Sequence, residues 1–149
     1  MQPDRARERA RVMLVDADPM RRLALVAALR ESFAVLPVEE GRDLLKEVRA
    51  QRPDLVLLAL DASRLAESLR SARVIRSDPT PPLLGLVGAL RRGPDPEALM
   101  ERSLANGLLL GRPEPAQLND WVTRVLAGER PVLRLARGRG LLSKLLGRG

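Results

Sequence analysis

The sequence contains no cysteine, no histidine and no tyrosine, and its only aromatic residues are Phe33 and Trp121. Without cysteine the chain has no disulfide framework and no thiolate nucleophile. Without histidine it lacks the commonest metal ligand and the commonest general base near neutral pH. Two aromatic side chains are too few for the stacking platforms that bind single-stranded nucleic acid. The hydrophobic 45% of the chain is therefore mostly leucine, valine and alanine, which is typical of helices packed on a buried sheet.

Positive charge is concentrated at the two ends of the 149-residue chain. Residues 130–149 carry six basic and no acidic side chains, and residues 1–11 carry a net charge of +2, whereas the whole chain carries +7. The segment between them is close to neutral, so the high isoelectric point does not by itself predict nucleic-acid binding. We expect a basic N-terminal lead at 1–10, one domain at 11–128 and a basic, leucine-containing C-terminal tail at 129–149.

The sequence shows neither a recognisable export signal nor a membrane-spanning segment. The first ten residues are rich in charge, unlike the apolar core of a signal peptide. No apolar run approaches the roughly 20 residues of a spanning helix. Together with the absence of cysteine, this pattern predicts a cytoplasmic protein.

Short apolar runs alternate along the chain with segments of helical periodicity, which is typical of an α/β fold. The apolar runs predict five strands: Arg11–Val15, Phe33–Val38, Leu55–Leu60, Leu83–Val87 and Leu108–Leu110. The periodic segments predict five helices: Pro19 to about Ser32, Gly41–Gln51, Ser63 to about Arg76, one opening at Asp95-Pro96-Glu97 and ended by Gly107, and Pro115–Ala127. We expect Leu23, Leu25, Val26 and Leu29 to form the apolar side of the first helix, and Leu65, Leu69 and Val74 that of the third.

Two strands carry signals of their position in the sheet. Leu55–Leu60 is apolar at every position, as in a central parallel strand covered on both faces. Pro37 has no N–H to donate to a neighbouring strand, so the second strand should lie at an edge. We therefore predict a doubly wound, five-stranded parallel sheet with right-handed crossovers.

Four local motifs occur in this order along the chain: Asp16-Ala17-Asp18-Pro19, Pro53-Asp54-Leu55-Val56-Leu57-Leu58, Pro82-Leu83-Leu84-Gly85-Leu86, and Ala105-Asn106-Gly107 followed by Arg112-Pro113. In sequence and spacing they resemble the receiver domain of two-component response regulators over roughly residues 11–128. The resemblance implies a flavodoxin-like, CheY-like (βα)5 fold with strand order 2-1-3-4-5. It also implies a role in bacterial signal transduction.

The resemblance also implies a phosphorylation site that this sequence lacks in several places. Receivers hold Mg²⁺ with an acidic pair and accept a phosphoryl group on an aspartate that ends the third strand. Here the second acid of the pair falls on Ala17 and the phosphoacceptor position falls on Ala59. The hydroxyl residue that ends the fourth strand falls on Val87, and the family's lysine falls on Arg112, with Gly111 indicating a one-residue slip. We expect a degenerate pocket with no phosphoacceptor, no metal and no other cofactor.

Three carboxylates near this pocket have both structural and functional interpretations. Asp61, two residues past Ala59, either replaces the acceptor or, as we favour, is the turn and cap residue of the next helix. Asp16 and Asp18 are either remnants of a metal site or, as we favour, a turn residue and an N-cap. For Arg112 we expect a solvated side chain or a salt bridge near Asp16, and binding of an anionic ligand is the alternative.

The C-terminal tail and Trp121 are the candidate interaction elements. Leu142, Leu145 and Leu146 share one face of a possible helical turn. The basic residues of the tail include Arg134, Arg137, Arg139, Lys144 and Arg148. Such a segment can dock on a protein, on an anionic membrane or on nucleic-acid phosphates, or can be a solubilising terminus or pack against the domain itself. Trp121 fits the edge of the core, and the resemblance to receivers makes the last helix face a possible homodimer contact.

No catalytic constellation is evident, since a triad without histidine or cysteine would need serine with one of the two lysines, Lys46 and Lys144. We predict a non-enzyme. The leading hypothesis is a stand-alone, phosphorylation-independent pseudo-receiver that acts as a protein-interaction adaptor, with the tail as a docking segment. The alternatives are a regulator still switched by a metal or anion at Asp16, Asp18 or Asp61, and a nucleic-acid or membrane-surface binder that depends on the tail.

Overall fold

A computed structural model of the chain describes residues 9–39, 43–88 and 95–134. Its centre is a parallel sheet in the order β2-β1-β3-β4-β5-β6. The strands are β1 (Arg11–Val15), β2 (Ala34–Val38), β3 (Leu55–Leu60), β4 (Leu83–Val87), β5 (Gly107–Leu110) and β6 (Val132–Arg134). The predicted strand order 2-1-3-4-5 is therefore confirmed, and a sixth strand extends it.

Five α-helices connect the strands within the described residues: α1 (Pro19–Leu29), α2 (Leu44–Gln51), α3 (Leu65–Ile75), α4 (Pro96–Ser103) and α5 (Pro115–Leu126). A short 3-10 helix, Ala62–Arg64, precedes α3. Aspartate caps open three of the helices, because a carboxylate accepts from otherwise unpaired N–H groups of the first turn. They are Asp18 before α1, Asp43 before α2 and Asp95 before α4. No helix of the described residues is both long and apolar enough to cross a membrane.

The sheet is covered on both faces, and alternate residues of strands β1 to β5 enter one of two apolar layers. Helices α1 and α5 cover one face with Leu25, Leu29, Leu118, Val122 and Val125. Helices α2, α3 and α4 cover the other with Leu44, Val48, Ala72, Ile75 and Leu99. Each fully buried leucine contributes roughly 1.5–3 kcal/mol through removal of its side chain from water. Because the two layers hold the strands in place, the residues that follow the carboxyl ends of the strands lie together at one edge of the sheet.

The two positional predictions for the strands are confirmed. Every residue of β3 is buried, and β3 lies between β1 and β4. Pro37 lies in β2, the edge strand next to β1, opposite Leu14. An edge strand tolerates proline because one side of it needs no ladder donor.

The assignment of two apolar residues to buried helix faces was wrong. Leu23 is 67% exposed on α1, and Val74 is 38% exposed on α3. Helix α1 buries Leu25 and Leu29, and a residue two positions before Leu25 lies about 200° around the helix. Helix α3 buries Ala72 and Ile75, so Val74 is turned away from the sheet for the same reason.

Several predicted boundaries were also wrong. Helix α4 ends at Ser103, where Leu104 adopts the left-handed conformation (φ 60°), and Gly107 instead opens β5. Helix α1 ends at Leu29 rather than near Ser32, and helix α2 begins at Leu44 because Asp43 caps it. Predicted positions 41 and 42 of that helix, and the predicted turn at 91–94, lie outside the described residues.

The sixth strand lies within the segment that the sequence analysis assigned to the tail. Val132–Arg134 pairs in parallel with β5, in the register Leu108↔Val132 and Leu110↔Arg134. Pro131 precedes it, and its carbonyl accepts from Leu108 N–H at 2.9 Å. A three-residue strand is too short to give a recognisable alternation, so its sequence carried no usable signal. The tail residues 135–149 lie outside the described residues.

Candidate functional site

The predicted pocket residues meet at the carboxyl edge of the sheet. Asp16 follows β1, Ala59 lies one residue before the end of β3, and Val87 ends β4. The register places Val15 beside Leu58, and Leu60 beside Val87, so the ends of these three strands are adjacent. Gly111 N–H donates to the carbonyl of Val87 at 2.8 Å, which brings the segment after β5 to the same edge. In parallel sheets this edge is where ligands commonly bind.

Asp16 is fully buried, and both of its carboxylate oxygens are held by Arg21. The Nε of Arg21 donates to Oδ2 at 2.6 Å and its Nη2 donates to Oδ1 at 2.7 Å. The backbone N–H of Asp18 also donates to Oδ1, at 2.9 Å. A two-pronged guanidinium–carboxylate contact of this kind is among the strongest hydrogen-bonded pairs in proteins. Asp16 is therefore a paired, structural carboxylate in this arrangement.

The surroundings of Arg21 favour its charged form. Its hydrogen bonds to Asp16 raise the pKa of the guanidinium, against the opposing effect of partial burial. The negative charges of Asp18 and Asp61 add to the same effect. A second arginine supports the turn, because Arg22 Nη1 donates to the carbonyl of Asp16 at 2.6 Å. The first turn of α1 thus supplies a cation to this edge of the sheet.

Asp18 has the role of an N-cap, as the structural interpretation predicted. Its Oδ1 accepts from the N–H groups of Met20 at 3.0 Å and Arg21 at 3.3 Å. Pro19 occupies the first helical position, where no N–H is needed. Asp18 therefore fixes the start of α1, and with it the position of Arg21.

Asp61 caps the short 3-10 helix, and this too agrees with the structural interpretation. Its Oδ1 accepts from Ser63 N–H at 3.0 Å and from Ser63 Oγ at 2.7 Å. The bond from the Ser63 hydroxyl is the main reason why the pKa of Asp61 lies below its usual value. Its backbone N–H donates to Ser68 Oγ at 3.0 Å, which ties the turn to α3.

Three further positions of the pocket, Ala17, Ala59 and Val87, carry no side-chain oxygen that could ligate a metal or accept a phosphoryl group. Ala59 and Val87 are buried apolar residues, and Ala17 is partly exposed. Mg²⁺ needs near-octahedral oxygen coordination, usually with one or two carboxylates. Asp16, the one buried carboxylate within the described part of the chain, already has both oxygens engaged by Arg21. Among the described residues there is no group of three or more acidic side chains that could hold a metal. The residues present do not fit the magnesium that the receiver resemblance implies.

Arg21 is the site residue that the sequence analysis missed, whereas Arg112 is solvated, which is one of the two roles expected for it. Arg112 is exposed, and the salt bridge of Asp16 is made by Arg21. One signal was present in the sequence. A basic residue in the first turn of a helix is unfavourable with the helix dipole, so Arg21 needs a compensating partner close by. The acid five residues earlier, at the end of a strand, provides it.

The candidate interaction residues divide into those inside and those outside the described part. Trp121 is partly buried against the α1–α5 layer, as predicted for the core edge. The guanidinium carbon of Arg124 lies 4.5 Å from the centre of its ring, a cation–π distance. The backbone of Arg134 ends β6. The other tail residues named above, Arg137, Arg139, Leu142, Lys144, Leu145, Leu146 and Arg148, lie outside the described residues.

The chain is similar in structure to many receiver domains. The chemotaxis protein CheY4 of Vibrio cholerae superposes with a TM-score of 0.67 at 20% identity, over 78% of this chain and 98% of that one. A LuxR-family two-component response regulator from Aurantimonas sp. SI85-9A1 gives 0.64 at 24% identity, over 83% and 89%. A response regulator from Thermotoga maritima gives 0.64 at 23%, over 80% and 98%.

At the level of sequence, no protein-family model and no curated protein matches this chain. Identities below 25% establish shape rather than activity, because one fold serves many functions. The strand order, the lengths covered and the structural similarity all agree with the motifs read from the sequence. The chain has the fold of the response-regulator receiver domains of two-component signalling systems.

Proposed function

We propose that this protein is a pseudo-receiver that acts in bacterial signalling as a phosphorylation-independent protein-interaction adaptor. The receiver fold supports a signalling role, and the finer proposal depends on the chemistry of the carboxyl edge. Its main support is the Arg21–Asp16 pair, in which a protein cation takes both oxygens of the buried carboxylate. In this pocket Arg21 supplies the positive charge beside Asp16 that a metal ion supplies in a magnesium site.

Arg21 and Mg²⁺ would compete for the same carboxylate oxygens of Asp16. To bind Mg²⁺ there, the protein must break two short charge-assisted bonds and leave Arg21 without its partner. Mg²⁺ in turn gives up its waters reluctantly and would find few other oxygen ligands near by. The exchange would also lose the preformed two-pronged contact with Arg21, which the chain itself holds next to Asp16. Both effects favour the arginine over the metal.

The absence of an acceptor at Ala59 supports the same proposal. Ala59 is 5% exposed, and a side chain of a single methyl group forms no phosphoryl bond. Of the nearby carboxylates, Asp61 accepts from two groups of Ser63 and Asp18 caps α1. These roles give no support to the alternative of a switch at Asp16, Asp18 or Asp61.

Phosphorylation by a small-molecule donor tests the proposal. The full-length protein is incubated with acetyl phosphate and Mg²⁺, and separately with a histidine kinase, and its intact mass is recorded with a known receiver as positive control. We expect the mass to be unchanged while the control gains one phosphoryl group. Stable phosphorylation, mapped by peptide mass spectrometry to Asp61 or Asp16, would refute the pseudo-receiver assignment.

We keep the C-terminal tail as a docking segment within this proposal, because residues 130–149 hold six basic side chains and no acid. Deletion of residues 135–149 tests it, since that deletion retains β6. We expect the truncated protein to keep its thermal unfolding midpoint and to lose partner proteins that the full-length protein binds. Binding to nucleic acid or anionic vesicles that falls steeply with salt and disappears on deletion would instead favour the alternative function.

A further inference from the structure

A groove of about 270 Å³ lies between α3 and α4, on the side of the sheet opposite α1 and α5. It is lined by Ala66, Leu69, Arg70, Arg73 and Arg102. Leu69 is buried and belongs to the helix face that packs inwards, whereas the three arginines are exposed. The groove therefore combines an apolar floor with cationic walls. We call it the α3–α4 groove.

The arginines of the α3–α4 groove are not paired with any carboxylate of the residues that the structure describes. Among the described residues, no ion pair joins Arg70, Arg73 or Arg102 to a carboxylate. Arg73 Nε donates to the carbonyl of Arg102 at 3.3 Å, which links the two helices but leaves the positive charge uncompensated by any carboxylate. Glu67, one turn before Arg70, is paired with Arg64 at 2.7 Å. Three like charges on one concave surface attract a partner of opposite sign.

A strained and exposed leucine lies directly beyond this groove. Leu104 ends α4 with φ 60°, a conformation that favours glycine, and its side chain is 51% exposed. The left-handed conformation is energetically unfavourable for a residue other than glycine. An exposed leucine side chain does not recover this cost by burial. Arg76 Nε holds the segment by donating to the carbonyl of Leu104 at 3.1 Å.

A second exposed apolar residue, Val74, follows Arg73 on α3, with 38% of its surface accessible. The hydrogen bonds of Arg73 and Arg76 to the carbonyls of residues 102 and 104 bring the ends of α3 and α4 together. Exposed apolar side chains and guanidinium groups thus occur at the same end of this helix pair. Arginine is enriched at protein–protein contact surfaces.

We propose that the α3–α4 groove and Leu104 bind an acidic, amphipathic segment of a partner protein, with its carboxylates on the arginines and its apolar side chains against Leu69 and Leu104. This inference rests on the proposed adaptor function and names the chemistry of its partner. A nucleic acid satisfies the cationic walls equally well, but its phosphates leave the apolar floor and the strained leucine without a partner. An acidic amphipathic segment matches both features.

A defined peptide pair with the same leucines tests the charge part of the proposal. The first probe is a fluorescein-labelled peptide of about 18 residues, long enough to form a helix, with leucines at i, i+3, i+4 and i+7 and glutamates on its other faces. The matched control carries lysines in place of the glutamates. Binding to the full-length protein is followed by fluorescence anisotropy, and the site is mapped by ¹H–¹⁵N chemical-shift changes. We expect the glutamate peptide alone to bind, with shifts centred on Leu69, Arg70, Arg73 and Leu104.

Two variants and one matched control separate the groove from the general positive charge of the chain. R70E changes an arginine of the groove, whereas R30E makes the same change of net charge at the end of α1, on the other face of the sheet. We expect R70E to weaken binding by about tenfold or more and R30E to change it less than about twofold. L104G should weaken binding while the thermal midpoint stays level or rises, because glycine relieves the left-handed strain.

Other results would overturn the inference. They are equal binding of both peptides, equal effects of R70E and R30E, no binding at all, or shifts confined to residues outside the groove. Inorganic polyphosphate and a single-stranded oligonucleotide serve as competitors, and tighter binding of either in the groove would assign it to phosphate. None of these results bears on acetyl phosphate labelling, so failure of this inference is distinguishable from failure of the pseudo-receiver assignment.

Discussion

Replacement of Arg21 by methionine probes the interaction on which the account of the pocket depends. Methionine keeps most of the apolar stem but leaves the carboxylate of Asp16, which is fully buried, without its two guanidinium bonds. Removal of one partner from a buried ion pair typically costs about 3–5 kcal/mol. Because the Arg21 side chain is 38% exposed, water reaches part of the vacated space, and we expect a loss of about 3 kcal/mol.

The matched control is R64M, which breaks a pair of nearly the same length between exposed partners. Arg64 Nε lies 2.7 Å from Glu67, and the two side chains are 41% and 55% exposed. Exposed pairs contribute about 1 kcal/mol or less, so R64M should unfold close to the wild type. The two variants thus compare the loss of an arginine that pairs with a buried carboxylate and of one that pairs with an exposed carboxylate.

A double-mutant cycle with D16N completes the test. An asparagine oxygen still accepts from the N–H of Asp18, and no unpaired charge remains in the double variant. We expect D16N/R21M to be more stable than the sum of the single changes predicts, by about 1–3 kcal/mol. Urea unfolding followed by Trp121 fluorescence, with circular dichroism as a second probe, measures all four proteins. A loss below about 1 kcal/mol in R21M, or strict additivity, would refute the claim that Arg21 secures Asp16.

Three further variants test the local electrostatics and packing: S63A, and G85A with its control G88A. S63A removes the hydroxyl that lowers the pKa of Asp61. Because a lowered pKa stabilises the fold only above the pKa of the unfolded state, S63A should be less stable than wild type above about pH 4. The difference should fade as the pH falls, which urea titrations from pH 7 to 2.5 measure. G85A should cost about 1–3 kcal/mol, because its Cβ would lie 2.7 Å from a methyl carbon of Leu108 in the packed core. G88A, whose Cβ meets nothing within 4 Å, should unfold within about 0.5 kcal/mol of wild type, and equal effects of the two changes would contradict the packing account.

Much of the fold follows from local sequence signals because those signals act within single elements. The all-apolar run Leu55–Leu60 predicts a central strand, and Asp18-Pro19 predicts a helix start, since both depend on a few neighbouring residues. Pro37 fixes an edge by a missing donor, whatever its surroundings. These predictions needed no knowledge of distant contacts.

The details that the sequence analysis missed depend on tertiary contacts. The direction of Leu23 follows from which helix face meets the sheet, and the partner of Asp16 follows from how α1 enters from β1. Leu104 in the left-handed conformation contradicts local preference, which favours Gly107 as a helix end. Conflicts of this kind between local preference and structure often mark functional positions. For this reason Leu104 enters the proposed docking site.

The sequence predicted which side-chain oxygens the pocket lacks, but it did not predict the ion pair between Arg21 and Asp16. Alignment of the motifs identified Ala17, Ala59 and Val87 as positions without oxygen ligands. The basic residue in the first turn of α1 was the one signal for Arg21, and it did not identify Asp16 as the partner, because pairing across five residues at a strand–helix junction depends on the turn geometry. The structure supplies the turn, with Asp18 N–H on Asp16 and Asp18 capping α1.

The central claim is that Arg21, and not a metal ion, satisfies the carboxylate of Asp16. The most direct measurement is a titration of ¹⁵N-labelled full-length protein with millimolar Mg²⁺, following the Nε–H resonance of Arg21 and the backbone amide of Asp18, both of which donate to Asp16. We predict that both resonances keep their positions throughout the titration, in the same way as in a matched addition of potassium chloride at equal ionic strength. A saturable shift of both resonances with Mg²⁺, absent in the salt control, would contradict the account.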